Sequence, residues 1–418
     1  MSCFIPEPHE NTTALPVQQW TRWQDNAQSL AQMTTFGVGG AVRHVVNAQS
    51  EAEIIDAVKA ADQENLPVLM LGGASNILAS SEPFAGVIIR DMRQEITTVF
   101  EEGCPGARMH VTAGTPWDAV VVYAVEHGWM GMESLSGIPG SAGAAIVQNI
   151  GAYGQEVAGT VACVRTFDRL TQSIRTIMMS DLELGYRTSI LKQSMRKRSG
   201  NSLRLGDIDP HLGVVKGRLD LDNRMWGPSP RWIVLDVDFQ LRLASLSEPV
   251  RYAQLADLLG VTPGERVPSV DVRAAVLQLR TSKAMVLNDA DRDTFSAGSF
   301  FTNPVLSVEE AESLPDDAPR YELTDPAAIN QIGAAAPKVS GFVKTSAAWL
   351  IDHAGFKPAY GDPLRAALSS KHSLALTNRG EASAEDIAAL AREIRQGVHE
   401  FSGIWLEPEP VLIGLDID

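Results

Sequence analysis

From residue 42 onward the apolar and polar positions change period repeatedly, and each change predicts an element. Val42–Val46 is a short strand-like run. Ser50 to Asn65 (SEAEIIDAVKAADQEN) carries apolar residues at helical spacing behind a serine cap and an acidic first turn, which predicts an amphipathic helix. Val68–Leu71 follows as an apolar strand, so the segment predicts a β-α-β unit. Gly86–Ile89 and Met109–Ala113 are further strand-like runs. Thr115 to Gly128 predicts a second helix, with Thr115 as cap, Pro116 in the first turn and Gly128 as the stop. Ala162–Asp168 and Ser173–Met178 predict a hairpin, and Trp232–Leu243 alternates as a strand returning to the same sheet. Val270–Arg280 is a helix leading to Lys283. At Gly298 a smaller unit opens, closing with a helix over Ala384–Gly397 and a strand over Trp405–Ile413. The order of elements is that of an α+β chain. Gln193 to Arg231 breaks the pattern: it is polar, basic and rich in glycine and proline, which predicts an exposed insertion.

Two glycine-rich stretches carry the candidate chemistry. In Leu66–Ile77 (LPVLMLGGASNI) a strand delivers Gly72, Gly73 and Ala74 to a turn closed by Ser75 and Asn76. Such a turn aims backbone N–H groups at an anion, usually a phosphate. It has neither the G-x-G-x-x-G of a dinucleotide fold nor the lysine of a P-loop. Thr34 to Gly40 (TTFGVGG) adds a second hydroxyl and glycine cluster. In Gly137 to Gly154 (GIPGSAGAAIVQNIGAYG), Pro139 fixes the entry of an ordered loop, and the density of small residues admits a flat ligand closely. Gln148 and Asn149 sit in an otherwise apolar run. Buried amides need partners, so a ligand with carbonyl and N–H edges is expected there.

Composition narrows the classes. A chain of 418 residues, 44% hydrophobic and 21% charged, suits two or three folded domains. No stretch approaches the roughly 18 apolar residues that span a bilayer, so no membrane is expected as a partner. The first residues, MSCFIPEPHENTT, lack the basic and apolar regions of a signal peptide, and a cytoplasmic location is expected. Cys3, Cys104 and Cys163 are too few and scattered for a disulfide framework or a zinc site, and no metal is expected. A net charge of −16 argues against nucleic acid. The basic cluster is confined to Lys192–Arg204, so an anionic small molecule must be held by individual Lys, Arg and N–H groups. A monomer is expected.

The motifs TTFGVGG, LGGASN, GIPGSAGAAIVQNIGAYG, GYRTSILK, AGSFFTNP, AAWLIDHAGFK and GIWLEPEP occur in this order between Thr34 and Gly414. Together they resemble the UDP-N-acetylenolpyruvoylglucosamine reductase family, in the subclass with a substrate-covering tyrosine loop. Two positions depart from the family pattern: Ala74 stands where the last glycine of the phosphate loop is usual, and Ile146 where proline is usual.

The resemblance implies a two-subdomain FAD-binding region of the vanillyl-alcohol-oxidase (PCMH) type over 20–245, divided at about residue 78. Connecting helices with the tyrosine loop follow over 246–283, a substrate-binding α+β domain over 284–403, and a final strand over 404–418. It implies non-covalent FAD, since neither glycine-rich stretch contains His or Cys, and NADPH as reductant. The implied substrate is UDP-N-acetylglucosamine enolpyruvate, reduced at C3 and protonated at C2 on the route to peptidoglycan precursors.

By family position, Ser299 is the proton donor to C2. Arg187 polarises the substrate carboxylate, and Glu409 completes the catalytic group. Glu407, two residues from Glu409, is expected to point to the opposite strand face as a structural pair. Gly72, Gly73, Ala74, Ser75, Asn76, Ile138, Pro139, Gly140, Ser141, Gly143, Gln148, Asn149, Gly151, Ala152 and Tyr153 are the implied cofactor contacts. Lys283 and Asn303 hold diphosphate and sugar, Tyr252 covers the nucleotide, and His372 is a polar substrate contact. Trp20, Trp23 and Trp349 are read as packing residues. An oxygen-using FAD oxidase and a non-catalytic sugar-nucleotide binder are the competing readings; neither requires the set Ser299, Arg187 and Glu409.

Overall fold

The structure, a computed structural model, describes residues 14–102, 106–195, 226–325 and 337–418. Most of the expected insertion over 193–231, together with Cys3 and Cys104, lies outside the described residues.

The Ser50 side chain accepts from the Glu53 N–H and caps the helix Glu51–Gln63, whose buried stripe is Ile54, Val58 and Ala61. This helix lies on a parallel sheet in the order Val42–Ala48, Phe84–Asp91, Val68–Met70. The β-α-β unit therefore forms as expected, with the longer strand Phe84–Asp91 inserted between its two arms.

A larger antiparallel sheet follows, in the order Ser173–Met178, Val161–Asp168, Trp232–Leu243, Gly106–Thr112, Ile96–Glu102. Its spine, Trp232–Leu243, returns to the sheet as expected, and both of its faces are covered. Ile233 and Leu235 pack with Ile54 and Val58 of the parallel unit. Trp232, Val234, Val237, Phe239 and Leu241 pack on the opposite side with Trp117, Val120, Val121 and Ile146. One strand thus joins two cores.

The helix expected over 115–128 spans Trp117–Glu126, and Thr115 does not cap it. The Thr115 hydroxyl instead bonds Thr112 and the Glu95 carbonyl. The stretch 137–154, read as a loop, contains the helix Ala142–Gln148, ended by Asn149 in the left-handed conformation.

The C-terminal unit has an antiparallel sheet in the order Val305–Ser307, Lys338–Lys344, Tyr321–Thr324, and a hairpin of Ala366–Leu368 with Leu376–Asn378. Its core around Phe300, Leu350, Leu368 and Ile394 also takes in Phe36, Val38 and Leu78 from the first part of the chain. The helix that closes this unit runs from Ala384 to Ser402, past the expected stop at Gly397. Gly397 serves packing: a Cβ there would meet the Phe356 ring at 2.6 Å. The strand expected over Trp405–Ile413 is reduced to Val411–Ile413. Pro408 and Pro410 lack the N–H a ladder requires. That short strand pairs in parallel with Ile77–Ala79, directly after the LGGASN turn. This pairing brings the end of the chain to the phosphate-loop candidate.

Candidate functional site

The two glycine-rich stretches press against each other. A Cβ on Gly72 would lie 2.4 Å from Ser141 Oγ, and one on Gly73 would lie 2.3 Å from the Trp20 carbonyl oxygen. These two glycines therefore admit neighbouring chain, in addition to any ligand. Ser75 Oγ donates to the Pro139 carbonyl at 2.9 Å and locks the two turns together. Ala74 adopts φ +49°, the left-handed region. An L side chain in this region costs about 1–2 kcal/mol, a strain that a glycine would avoid. Ile146 is fully buried in the sheet-facing core, so its departure from proline is compatible with the packing.

Two adjoining clefts share Ser75, Asn76, Ser141, Ala144 and Gln148 as a common wall. The first is lined by Gly72, Gly73, Ala74 and Gly143. The second is lined by Ile138, Pro139, Gly140, Gly151, Arg187, Arg280, Ser299 and Glu409. The residues proposed from the motifs GYRTSILK, AGSFFTNP and LEPEP thus meet in one cleft, beside the junction of the two loops.

Arg187 sits in a tight turn closed by reciprocal bonds between Gly185 and Thr188, at φ +56°. Its Nε lies 3.2 Å from Glu409 Oε1, and its NH2 donates to the Gly151 carbonyl at 2.6 Å. Burial opposes its charge, but Glu409, Tyr186 and Glu156 outweigh burial and hold the guanidinium above its ordinary pKa. Burial pushes the neighbouring Glu156 carboxyl up, against the pull of Arg187 and Lys344, and pushes the Lys344 ammonium down. Gln148 Nε2 donates to Glu409 Oε1 at 2.8 Å. Glu407 lines a separate cleft with Glu82, Pro83 and Leu412, consistent with its expected opposite orientation.

On the far side of the cleft, Ser299 Oγ lies 3.3 Å from His372 Nε2. Burial, then the nearby Lys283 and Arg280 charges, push the His372 imidazole down to about 4, so it is neutral at pH 7. Burial and Arg280 also lower the Lys283 ammonium. Lys283 Nζ donates to Gln254 Oε1 at 2.8 Å and stands 5.9 Å from the Tyr153 ring centre, and Tyr153 packs edge-on against Tyr252 at 5.3 Å. Tyr252, expected on a loop, occupies the N-cap position of the helix Ala253–Leu259 and is 41% exposed.

Three expected contacts are used inside the chain. Asn149 is fully buried; its Nδ2 donates to the Gly185 carbonyl at 2.7 Å, and its Oδ1 accepts from the Ala158 N–H. Ala152 packs against the core of the large sheet. Asn303 Oδ1 accepts from the Ala347 N–H at the start of the helix Ala347–His353. The ligand edge expected for the pair Gln148–Asn149 is accordingly replaced, for both amides, by protein partners. Trp23 is buried, and Trp349 stacks on His353, in line with packing roles.

Arg280 is a cleft residue that motif reading missed. It is half-buried, its NH2 donates to the Met285 carbonyl, and its Nε, itself shielded from solvent, has no partner among the described residues. The signal was present in LRTSK: on the helix Ser269–Ser282, Arg280 precedes Lys283 by three positions, so both address the same side.

Whether a large anionic cofactor fits is answered by unused donors. Among the described residues, the backbone N–H groups of Gly72 to Asn76 donate to no protein atom, and Arg280 Nε waits in the adjoining cleft. A row of free N–H groups in a turn is a phosphate-binding concavity, and a buried orphan donor requires an acceptor. The residues fit a dinucleotide that runs from one cleft into the other.

Comparison with known proteins agrees. Residues 42–170 match the family model described as an FAD binding domain, and residues 290–413 match the one described as the C-terminal domain of UDP-N-acetylenolpyruvoylglucosamine reductase. The chain is 42% identical over 390 residues to the reductase of that name from Cutibacterium acnes, covering 93% of this chain and 90% of the relative. It is 42% identical over 392 residues to that of Thermobifida fusca, covering 93% and 97%. The crystal structure of the Thermus caldophilus enzyme superposes with a TM-score of 0.52 at 22% identity, over 92% of this chain and 97% of that one, and shares the fold. The expected α+β architecture, a flavin-binding region followed by a C-terminal domain, is therefore present. By sequence over nearly its whole length, and with a cleft whose free donors suit FAD, this chain belongs to the UDP-N-acetylenolpyruvoylglucosamine reductase family of flavoenzymes.

Proposed function

We propose that the chain is a cytoplasmic, NADPH-dependent reductase that converts the enolpyruvyl ether of UDP-N-acetylglucosamine to UDP-N-acetylmuramate. The observation that carries this reading is the meeting of Arg187, Ser299 and Glu409 in one cleft at the junction of the two glycine-rich stretches. That no helix among the described residues is long and apolar enough to cross a membrane is compatible with it.

FAD, held along the two clefts, would supply the hydride chemistry that links NADPH to C3 of the enolpyruvyl group. The protein must then manage negative charge at C2 and the substrate carboxylate. Arg187, fixed by Glu409 and the Gly151 carbonyl, holds the carboxylate and stabilises the enolate-like anion. The Ser299 hydroxyl gives its proton to C2. Glu409 keeps Arg187 charged and oriented. The free N–H groups of Gly72 to Asn76 hold phosphate of the cofactor, and Ile138 to Ser141, Gly143, Gln148 and Gly151 line its path. Lys283 serves the nucleotide diphosphate, with Asn303 at the sugar, Tyr252 covering the nucleotide and His372 against Ser299. In this reading the flavin region extends over 20–245 and the substrate-binding domain over 284–403.

The test is product analysis. Purified yellow protein is given the enolpyruvyl sugar nucleotide and NADPH, with and without oxygen. Stoichiometric NADPH loss, an unchanged rate without oxygen and formation of the lactyl ether are expected. Oxygen-dependent turnover with peroxide release would identify an oxidase, and binding without turnover a non-catalytic protein; either result overturns the proposal.

A further inference from the structure

Lys192 closes the GYRTSILK motif, five residues after Arg187. It is 1% exposed, at the end of the short helix Ile190–Gln193. A lysine is almost never buried to this degree without a specific partner. Its Nζ donates to Gln148 Oε1, and to the Glu409 backbone carbonyl at 3.2 Å. The geometry is held from outside the cleft, because Ser189 Oγ donates to the Val147 carbonyl and ties this helix to the one carrying Gln148.

A carboxamide has two unlike ends, and here each faces a group of opposite character. The oxygen faces the Lys192 ammonium. The nitrogen donates to Glu409 Oε1 at 2.8 Å. Turned over, the amide would set N–H against ammonium and oxygen against carboxylate, losing both bonds and gaining two repulsions. With a cation on one side and an anion on the other, a single orientation remains.

We propose that Lys192 is a positioning residue for the catalytic group: it fixes the Gln148 amide so that Gln148 holds the Glu409 carboxylate against Arg187. Lys192 itself touches no reacting atom. The chain of contacts runs from Lys192 to Gln148 to Glu409 to Arg187. It uses residues of three separate motifs and makes their spacing interdependent. The inference rests on the proposed role of Glu409.

The test measures FAD-loaded protein in two half-reactions, reduction by NADPH and reoxidation of prereduced enzyme by saturating enolpyruvyl sugar nucleotide. Lys192→Met, Gln148→Glu, Glu409→Gln and the double variant Lys192→Met/Glu409→Gln are compared, with flavin absorbance and Tm as controls for the fold. Lys192→Met is expected to slow reoxidation about 10- to 100-fold, the size of a lost charge-assisted hydrogen bond. NADPH reduction should keep its rate. Gln148→Glu retains the contact with Lys192 but repels Glu409, so a comparable loss is expected even where Lys192→Met fails to accumulate. In the Glu409→Gln background, removal of Lys192 should add less than about threefold. Unchanged reoxidation in both Lys192→Met and Gln148→Glu, or full additivity in the double variant, overturns the inference while leaving Glu409 in place. Unchanged reoxidation in Glu409→Gln alone overturns the role of Glu409, and the inference with it.

Discussion

Arg187 Nε lies 3.2 Å from Glu409 Oε1, joining a turn near the middle of the chain to its last extended segment. Glu409 arrives there because Val411–Ile413 pairs with Ile77–Ala79, and Asn76 immediately precedes that strand in the flavin-loop candidate. The Val411 N–H donates to the Asn76 carbonyl at 2.9 Å, which sets the register of the segment that carries the glutamate. An arginine held on Nε by Glu409 and on NH2 by Gly151 has a defined plane, and in the proposed function a substrate carboxylate would meet a donor that is already oriented. The consequences of this arrangement can be measured.

Ser299→Ala should leave NADPH-driven flavin reduction almost intact, because that half involves no substrate carbon. Reoxidation by the enolpyruvyl sugar should fall by about 10²–10⁴ for loss of a positioned acid. Ser299→Cys should recover part of the rate, since a thiol still donates a proton. Stopped-flow flavin absorbance reads the two halves separately. Equal slowing of both would point to disturbed folding or cofactor placement and remove Ser299 as the donor.

His372 makes stability fall with pH in a defined window. Its imidazole is pushed down to about 4 in the folded chain, against an unfolded value near 6.5. Above pH 6.5 both states are neutral and the contribution is fully present. Between about 6.5 and 4 the unfolded chain binds the proton that the folded one refuses, so stability is lost as pH falls. In His372→Gln this component disappears, and Tm should decline less steeply than in the parent from pH 7 to 4.5. Parallel Tm profiles would contradict the burial of a neutral imidazole beside Lys283 and Arg280.

Asp118→Ala should destabilise strongly. Its carboxylate takes both forks of Arg273, at 2.7 and 2.8 Å, and accepts the Gly137 N–H that opens the second glycine-rich stretch. Removing it strands a buried guanidinium, at a cost of about 3–5 kcal/mol. A Tm fall of more than about 5 °C in the FAD-loaded protein is the expected reading. A shift of a degree or less would mean that water or another acid compensates Arg273.

Tyr252→Phe tests whether the exposed hydroxyl above Tyr153 reaches the nucleotide. Loss of one hydrogen bond, about 0.5–1.5 kcal/mol, should appear as a modest rise in KM for the sugar nucleotide with little change in KM for NADPH. An unchanged KM and kcat would take the tyrosine out of the substrate site.

Part of the local order was legible in the sequence, although Thr115 does not cap its helix and Ala142–Gln148 is helical in a stretch read as a loop. Ser50 before an apolar stripe forms the capped helix, and Ser383, with Asp386 three positions on, caps the helix that closes the C-terminal unit. The hairpin Val161–Asp168 with Ser173–Met178 also follows from strand period and turn residues alone. The motifs, read in order, were enough to place the chain in its family, and the three residues they single out as a catalytic group, Arg187, Ser299 and Glu409, line one cleft.

Long-range contacts were beyond that reading, because no periodicity records which surfaces meet. Tertiary packing decided that Trp232–Leu243 has both faces covered, and that Gly72 and Gly73 clear a path for Ser141 and Trp20. It also turned the Gln148 and Asn149 amides inward, to Glu409 and Lys192 and to Gly185. Arg280 was passed over for a related reason: an arginine in an amphipathic helix reads as solvated until a neighbouring loop shields it. The sequence determined which residues carry charge, donors and small side chains. The fold determined which of those donors are already spent on the protein and which, as at Gly72 to Asn76 and Arg280, are left for a ligand, because hydrogen-bond capacity is settled only when every buried group has met its partner.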